Sequence, residues 1–159
     1  MEDFVEQKEP KIVERPAFII VGKLYRGKNE NKEIPQLWQS YGPQMHQIKN
    51  VKNQHICYGV MDNFDQESKE FDYVAAQEVS QVEDPPEGLV SWEIPECTYA
   101  VFTCTLPTIS ETFDYIYHKW LPASGYEHSP SLEFELYDER FHPEKPQSEL
   151  DIYIPIKKK

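Results

Sequence analysis

Positive charge is scarce in this chain of 159 residues. Lys and Arg together number 16 against 28 Asp and Glu, which gives a formal net charge of −12. A surface that binds nucleic acid needs clustered positive charge to neutralise phosphates, so this balance argues against one. It also argues against docking on anionic lipid, although residues 157–159 are three lysines. The acidity is more typical of a solubility feature than of a signal for a partner.

Cysteines and long apolar runs are also few. Cys57, Cys97 and Cys104 form an odd set without CxxC spacing, which favours reduced thiols over a secreted disulfide framework. The longest apolar run, residues 17–21, is far too short to span a membrane, and residues 1–6 contain no apolar segment of a secretory signal. The sequence therefore predicts a soluble, cytoplasmic protein.

The chain does have enough apolar material for a core, since 39% of its residues are hydrophobic and 13% are aromatic. Its strand-like runs come in two similar sets of three, and helical periodicity follows the first run of each set. The runs are residues 17–22, 56–64 and 71–79 in the first half and residues 98–103, 132–141 and 150–156 in the second. The acidic, proline-containing stretch 83–88 is predicted to connect the halves.

Two apolar stripes with a 3.6-residue period predict one helix in each half. They comprise Ile34, Leu37, Trp38, Tyr41, Met45 and Ile48 in the first half, and Ile109, Phe113, Ile116, Tyr117, Trp120 and Leu121 in the second. Residues 108–111 (TISE) fit a capping box at the start of the second helix. The pair Gly42-Pro43 should kink or stop the first helix.

These elements predict an α+β fold of two similar β-α-β-β units, which would bury one sheet face under the helices and can leave the other face concave. The units span residues 11–80 and 90–157 of a single domain, 11–159, and an acidic N-terminal tail, 1–10, precedes it. The alternative is one α+β domain without a true duplication.

The last two strand-like runs alternate strictly between apolar and polar residues. In the first of them Leu132, Phe134 and Leu136 point to one face, and Glu133, Glu135 and Tyr137 point to the other. In the second, Leu150, Ile152, Ile154 and Ile156 oppose Asp151, Tyr153 and Pro155. If the apolar faces pack on the helices, the open face carries Glu133, Glu135, Tyr137 and Tyr153.

A carboxylate flanked by aromatic rings, as Glu135 would be on that face, suits a cationic or planar ligand through charge, cation–π contact and stacking. Poor solvation would also raise the pKa of that carboxyl group and prepare it for acid–base work. The alternative is an antiparallel sheet that simply presents its polar face to water.

The candidate aromatic walls of such a site are Trp38, Trp92, Trp120, Tyr58 and Phe102. Trp92 stands outside the helical stripes that contain the other two tryptophans, so it is favoured as a pocket residue, whereas those two favour core packing. Met61 lies one alternation step from Gly59, which aligns with Glu135, so Met61 and Gly59 would form an opposite, apolar wall. The glycine would equally suit a β-bulge.

No metal or cofactor is predicted. The five histidines lack the spacing of a metal site, and neither a P-loop nor a dinucleotide-binding glycine motif occurs. Cys97 and Cys104 lie on or beside a strand predicted to be buried, which favours packing over nucleophilic catalysis.

Two segments in the last third of the chain carry a family resemblance. Residues 134–141 (FELYDERF), followed by residues 148–156 (SELDIYIPI), resemble the C-terminal signature of the GyrI-like superfamily, whose members are also known as AraC-type effector-binding domains. Further matches are residues 120–122 with 124–127, and residues 94–95 before 99–102. The resemblance covers most of the chain, from about residue 11 to residue 157.

The resemblance implies two pseudo-symmetric units around a cleft, with a small-molecule site in that cleft. In family members that sense drugs, a glutamate of the strand motif meets cationic ligands among aromatic side chains, and the matching position here is Glu135. The favoured function is therefore binding of an amphipathic aromatic or cationic molecule, as an effector sensor or a sequestering protein. The ligand-contacting residues would be Glu135, Tyr137, Tyr153, Trp92, Tyr58, Met61, Phe102 and Trp38.

The family leaves two alternatives open. Some standalone relatives are hydrolases that open the cyclopropane ring of DNA-alkylating toxins, and here Glu135 would activate or orient water while Tyr137 donates a hydrogen bond. The other alternative is a gyrase-interacting or other protein-binding module that relies on the acidic surface. Relatives often carry a DNA-binding helix-turn-helix segment, but only an acidic tail of about ten residues precedes the predicted domain here, so direct nucleic-acid binding is not expected.

Overall fold

A nine-stranded antiparallel sheet forms the centre of the computed structural model, which describes residues 9–159. The strands are β1 Lys11–Arg15, β2 Phe18–Gly27, β3 Cys57–Asp62, β4 Phe71–Val79, β5 Val90–Ile94, β6 Cys97–Thr105, β7 Tyr126–His128, β8 Glu133–Tyr137 and β9 Glu149–Lys158. The helices are α1 Glu33–Met45, α2 Ile109–Tyr115 and α3 Leu121–Ala123, with a 3₁₀ turn at Leu106–Thr108 and a π-helical segment at Ile116–Trp120. Most of the predicted acidic tail, residues 1–8, lies outside the described residues.

The order of strands across the sheet is symmetric when corresponding strands of the two halves are exchanged. It is β1-β6-β9-β8-β3-β4-β2-β5, with β7 pairing with the end of β9. Exchanging β1 with β5, β2 with β6, β3 with β8 and β4 with β9 turns this order into its own reverse. Two β-α-β-β units therefore meet at β3 and β8, which confirms the predicted α+β class and order of elements. The superposition of residues 11–80 on 90–157 stays a prediction.

Each unit also receives an edge strand from the other half of the chain. Strand β1 precedes the β-α-β-β elements of the first half but pairs with β6 of the second, and β5 precedes those elements of the second half but pairs with β2 of the first. This exchange ties the two units together along both outer edges of the sheet. None of the helices within residues 9–159 has the length and apolar character required to cross a membrane.

Both faces of the sheet are buried, and the helices lie on one of them, called the helical face below. Its core under α1 consists of Val21, Leu37, Tyr41, Ile48, Tyr73, Ala75 and Val79. Its core under α2 and α3 consists of Ala100, Phe102, Cys104, Ile116, Leu121, Leu150, Ile152, Ile154 and Ile156. The opposite face has a core of Phe18, Ile20, Tyr58, Val60, Val74, Ala76, Ile94, Tyr99, Val101, Phe134 and Leu136.

The predicted packing of Leu132, Phe134 and Leu136 on the helices is wrong. Phe134 and Leu136 belong to the core of the opposite face, and Leu132 packs against it. The polar residues that alternate with them therefore lie on the helical face, and Tyr153, which pairs with Phe134, does not share a face with Glu135. Alternation separates two faces but does not identify the helical one when both are buried. For β9 the prediction is confirmed, since its four apolar residues lie under α2 and α3.

The structure departs from two local predictions about helix ends. Helix α1 does not stop at Gly42-Pro43 but continues to Met45, because a proline in the last turn removes a hydrogen bond close to where the helix ends in any case. The kink predicted there as the alternative stays a prediction. The capping box lies at Thr105 and Thr108, where the Thr105 amide donates to Thr108 Oγ1 at 3.1 Å, because the 3₁₀ turn begins before the predicted start. The strand predicted at residues 132–141 ends at Tyr137, four residues earlier than predicted.

Candidate functional site

The candidate site lies in the middle of the sheet, where the two units meet. Glu135 of β8 is directly opposite Gly59 of β3 and on its other side pairs with Ile152 of β9. Because Gly59 pairs in turn with Ala75, the Glu135 side chain lies on the helical face, between the cores under α1 and α2. The residue is only 7% exposed. A glutamate is almost never buried to this extent unless it is paired.

Two tyrosine hydroxyls hold one oxygen of this carboxyl group. Tyr73 of β4 donates to Glu135 Oε1 at 2.9 Å, and Tyr137, two residues further along β8, donates to the same atom at 2.7 Å. Trp38 of α1 donates from Nε1 to the Tyr73 hydroxyl at 3.1 Å. A chain of hydrogen bonds thus runs from α1 to the centre of the sheet, and every donor in it has a defined acceptor.

Aromatic rings enclose the same carboxyl group. The ring centroid of Trp38 lies 6.4 Å from that of Tyr73 and 5.8 Å from that of Tyr137, in edge-to-face contacts. Phe141 makes a further edge contact with Tyr137 at 4.8 Å. Such pairs contribute about 0.5–1.5 kcal/mol beyond area burial, and their π faces attract cations. The rings therefore exclude water and suit a positively charged ligand.

The carboxyl group of Glu135 has hydrogen-bond donors but no counter-ion. Within residues 9–159, no Lys or Arg forms an ion pair with it. Burial raises its pKa, the hydrogen bonds from Tyr137 and Tyr73 oppose that shift, and the charge of Glu133 adds to it. Burial also raises the pKa of both tyrosines well above the ordinary value, so they stay hydroxyl donors at neutral pH. A bound cation would supply the missing counter-charge.

A second carboxylate lies at the margin of the site. Glu133 is two residues before Glu135 on the same face of β8, opposite Met61. Tyr117 of the π-helical segment donates to Glu133 Oε1, and His128 Nε2 lies 3.7 Å from the same oxygen. Burial and the nearby charge of Glu133 raise the pKa of Tyr117. Because the side chain of Glu133 is 21% exposed, this carboxylate is partly hydrated, unlike Glu135.

The structure brings together four of the eight predicted ligand residues. Glu135, Tyr137 and Trp38 form the group described above, and Met61 pairs with Tyr73 on one side and with Glu133 on the other. Trp38, for which core packing was favoured, packs against the core under α1 and also contacts the hydrogen-bonded group.

The other four predicted residues lie away from Glu135. Phe102 is on the helical face but packs against Trp120, with ring centroids 5.2 Å apart, under the second helical layer. Tyr58 belongs to the core of the opposite face, and Trp92 and Tyr153 pack against that core, so the sheet separates all three from Glu135. The common open face predicted for Tyr153 and Glu135 is therefore wrong, because the two residues lie on opposite faces of the sheet and both faces are buried.

Tyr58 takes part in a different network on the opposite face. Its hydroxyl accepts a hydrogen bond from Arg15 at 2.9 Å and donates one to Glu78 at 3.1 Å, while Arg15 and Glu78 form an ion pair at 3.0 Å. The Arg15 guanidinium also lies 3.8 Å from the ring centroid of Phe18. Burial raises the pKa of Tyr58 to about 12. This network is complete, since its carboxylate already has a cation.

Sequence reasoning missed Tyr73, Tyr117 and Phe141 as members of the site. The register that brings β4 beside β3 is a long-range property, so the sequence does not indicate that Tyr73 faces Glu135. One signal was present in Gly59: a Cβ atom there would lie 2.1 Å from the Tyr73 hydroxyl oxygen. A glycine aligned with the key glutamate indicates that a large neighbour occupies the space above it.

Two surface depressions lie elsewhere. One, of about 460 Å³, is lined by Glu111, Asp114, Tyr115, His118 and Lys119, and the other, of about 400 Å³, lies between β1, α3 and β7. Neither contains a buried carboxyl group without an ion-pair partner, whereas the Glu135 site does, and a buried titratable group with a shifted pKa is the stronger indication of function. Within residues 9–159, no three His, Cys, Asp or Glu side chains come close enough to share a metal ion.

Comparison with known proteins identifies relatives of the chain. A family model described as integron-associated effector binding protein matches residues 11–156, in agreement with the GyrI-like resemblance. The chain is 40% identical over 155 residues to the transcriptional regulator BrlR of Pseudomonas aeruginosa, and the alignment covers 96% of this chain but only 57% of BrlR. The chain therefore spans little more than half the length of this curated relative.

Two solved structures share the fold at low sequence identity. One is SAV2435 bound to tetraphenylphosphonium, with a TM-score of 0.74, 14% identity and 94% of each chain covered. The other is the EcmrR C-terminal domain, with a TM-score of 0.72, 18% identity and coverage of 96% of this chain and 99% of that domain.

Proposed function

The chain belongs to the family of integron-associated effector binding proteins, and from this premise we propose that it binds aromatic organic cations at Glu135. Binding would make it an effector sensor or a sequestering protein. The observation that carries the proposal is the pairing state of Glu135: a carboxyl group that is 7% exposed, receives two tyrosine hydroxyls and lacks a counter-ion within residues 9–159.

The buried carboxyl group and the aromatic rings around it both favour an aromatic cation. Ionised Glu135 is costly while it is buried alone, and a cation beside it recovers part of that cost. The rings of Trp38 and Tyr137 offer π faces to the same ligand. A small, strongly hydrated cation would lose its hydration without gaining these contacts, so the site selects for apolar cations.

Entry of a ligand requires a side chain to move, because Glu135 is nearly enclosed. Trp38 projects from α1 over Tyr73 and Tyr137, and within the described residues its indole makes one hydrogen bond, to the Tyr73 hydroxyl. Rotation of this indole uncovers the carboxyl group, and the ligand replaces the ring contacts that are lost. The apparent affinity is the affinity of the open site multiplied by the fraction of time the site is open, so the cost of opening weakens binding.

Titration of the protein with tetraphenylphosphonium, the cation bound by SAV2435, tests the proposal. Calorimetry should detect saturable binding, and Glu135→Gln should weaken it about tenfold or more, as expected for losing a charged partner of a buried group. Neutral triphenylphosphine oxide should bind much more weakly than the cation. Equal binding of the cation by wild type and Glu135→Gln would contradict the proposal.

A matched control separates this effect from net charge. Glu93 is exposed on β5, so Glu93→Gln changes the net charge equally without touching the site. Its affinity for tetraphenylphosphonium should stay within about twofold of wild type, because an exposed charge at a distance is screened by salt. A tenfold loss in Glu93→Gln would mean that the acidic surface as a whole attracts the cation.

The hydrolase hypothesis uses the same carboxyl group. Its support is the raised pKa of Glu135 together with the Tyr137 hydroxyl at 2.7 Å, a pair suited to proton transfer. Incubation with a cyclopropane-bearing alkylator, followed by mass spectrometry, tests it. Addition of water that disappears in Glu135→Gln supports a hydrolase, whereas an intact ligand retained by the protein supports a binder.

A further inference from the structure

Glu133 and Glu135 are two acidic residues on one face of β8 that no arginine or lysine neutralises within residues 9–159. Other carboxylates along the sheet are paired differently. Glu78 pairs with Arg15 at 3.0 Å and with Lys52 at 3.4 Å, Asp72 pairs with Arg26 at 2.9 Å, and Asp151 pairs with Arg140 at 2.8 Å. These three carboxylates outside the site, whose side chains are 14–18% exposed, have Arg or Lys partners, whereas Glu133 and Glu135 have none within residues 9–159.

The surroundings of Glu133 resemble those of Glu135 but are more exposed to solvent. Each carboxylate accepts a hydrogen bond from at least one tyrosine, Tyr117 for Glu133 and Tyr137 for Glu135, and each lies against aromatic rings. The imidazole of His128 is near Glu133 but at 3.7 Å and partly exposed, so it is a weak and displaceable neighbour. Glu135 itself is more than nine-tenths buried and has no cation, which marks the face as one built to receive positive charge.

On the basis of the proposed function, we propose that Glu133 is a second anionic subsite and that the preferred ligands are flat aromatic dications. One charge would lie beside Glu135 and the other beside Glu133, close to Met61 and Tyr117. Residues two apart on a strand are separated by about 6.6 Å, so the two positive charges of the ligand need a comparable spacing. Tyr117 and Tyr137 would flank the two ends of the ligand.

A matched pair of probes isolates the second charge. The dication 1,1′-dimethyl-4,4′-bipyridinium and the monocation 1-methyl-4-phenylpyridinium have nearly the same size and shape. They differ in one ring position, a methylated nitrogen in the first and a carbon in the second. The ratio of their dissociation constants therefore measures what the second charge contributes, with contact area held nearly constant.

Calorimetric titration of the wild type, Glu133→Gln and Glu135→Gln with both probes is the test. The wild type should bind the dication about fivefold more tightly than the monocation, the upper range for a partly exposed ion pair. Glu133→Gln should reduce this preference to near unity while leaving monocation affinity within about twofold. Glu135→Gln should weaken the binding of both probes.

The outcomes separate the two proposals. Binding of both probes with equal affinity by the wild type, or equal loss of both in Glu133→Gln, would overturn the second subsite while leaving the cation site at Glu135 intact. Binding of neither probe, with tetraphenylphosphonium also inactive, would overturn the proposed function itself. Glu93→Gln, with the same change in net charge, should keep the wild-type preference for the dication. Because the wild-type ratio alone can refute the inference, the test does not depend on the folding of any variant.

Discussion

Gly59 lies directly opposite Glu135 across the β3–β8 pair, and the hydroxyl of Tyr73 occupies the space that a side chain at position 59 would need. A Cβ atom there would come within 2.1 Å of the Tyr73 hydroxyl oxygen and within 2.8 Å of Glu135 Oε1. The two halves thus carry a glutamate and a glycine at facing positions of their shared seam. The absence of a side chain on one half lets the tyrosine reach the carboxyl group on the other.

Gly59→Ala should therefore damage the site as well as the fold. The added methyl group displaces the Tyr73 ring and breaks its hydrogen bond to Glu135, so the free energy of unfolding should fall by about 1–3 kcal/mol. Affinity for tetraphenylphosphonium should fall as well. Urea unfolding and calorimetry measure the two effects. The control is Gly42→Ala in α1, where a Cβ atom meets nothing within 4 Å and helix propensity favours alanine. Equal effects of the two substitutions would contradict the close approach at Gly59.

The two tyrosines that donate to Glu135 should differ in their contributions to stability. Tyr73→Phe removes one donor from the carboxyl group and also the acceptor of the Trp38 indole, so two hydrogen bonds of about 1 kcal/mol each are lost. Tyr137→Phe removes only one. Urea unfolding should show that Tyr73→Phe lowers the free energy of unfolding about twice as much as Tyr137→Phe. A larger loss for Tyr137→Phe would mean that the chain from Trp38 to Glu135 is not the stabilising connection.

The raised pKa of Glu135 predicts a pH-dependent difference between wild type and Glu135→Gln. A carboxyl group whose pKa is raised by folding contributes its stability in full below the unfolded pKa, and that contribution is lost as the pH rises through the folded pKa. Glutamine does not titrate. The free energy of unfolding of Glu135→Gln minus that of wild type should therefore increase from about pH 4 to about pH 8. Urea unfolding across this range measures it, and a constant difference would mean that Glu135 titrates as an ordinary glutamate.

Much of the fold could be predicted from sequence because its signals are local. The runs that became β2, β3, β4, β6, β8 and β9 are apolar or alternating, and the two helical stripes mark α1 and the α2–α3 segment. Strands β1, β5 and β7 were missed because they are short and carry many polar residues. Strands β1 and β5 are held by pairing with the other half, which no local pattern reveals.

The candidate site was predicted less completely than the fold. The strand motif identified Glu135 and Tyr137, and the structure adds Tyr73, which approaches from a strand more than 60 residues away in the chain. The alternation of β8 indicated which residues share a face. It did not indicate that Phe134, on the other face, is as well covered as the residues under the helices. Burial of both faces is a property of the assembled sheet.

Substitutions on the two faces of the sheet should have different effects on ligand affinity, and Tyr153 tests this for the opposite face. Its ring stacks on Phe134 at 4.5 Å and contacts Tyr99 at 5.6 Å, all within the opposite face. Tyr153→Leu keeps apolar bulk but removes these ring contacts, so the free energy of unfolding should fall by about 1–3 kcal/mol. Affinity for tetraphenylphosphonium should stay within about twofold of wild type, since the sheet separates Tyr153 from Glu135.

Tyr137→Leu is the matched substitution on the helical face. It removes the same kind of ring, together with the hydroxyl that donates to Glu135 at 2.7 Å. Affinity for tetraphenylphosphonium should therefore fall clearly in Tyr137→Leu and not in Tyr153→Leu, even if the two variants lose similar stability. Calorimetric titration of both, alongside urea unfolding, gives the comparison. If Tyr153→Leu lost the affinity and Tyr137→Leu kept it, the ligand would bind the opposite face, and Glu135 would be a buried structural acid.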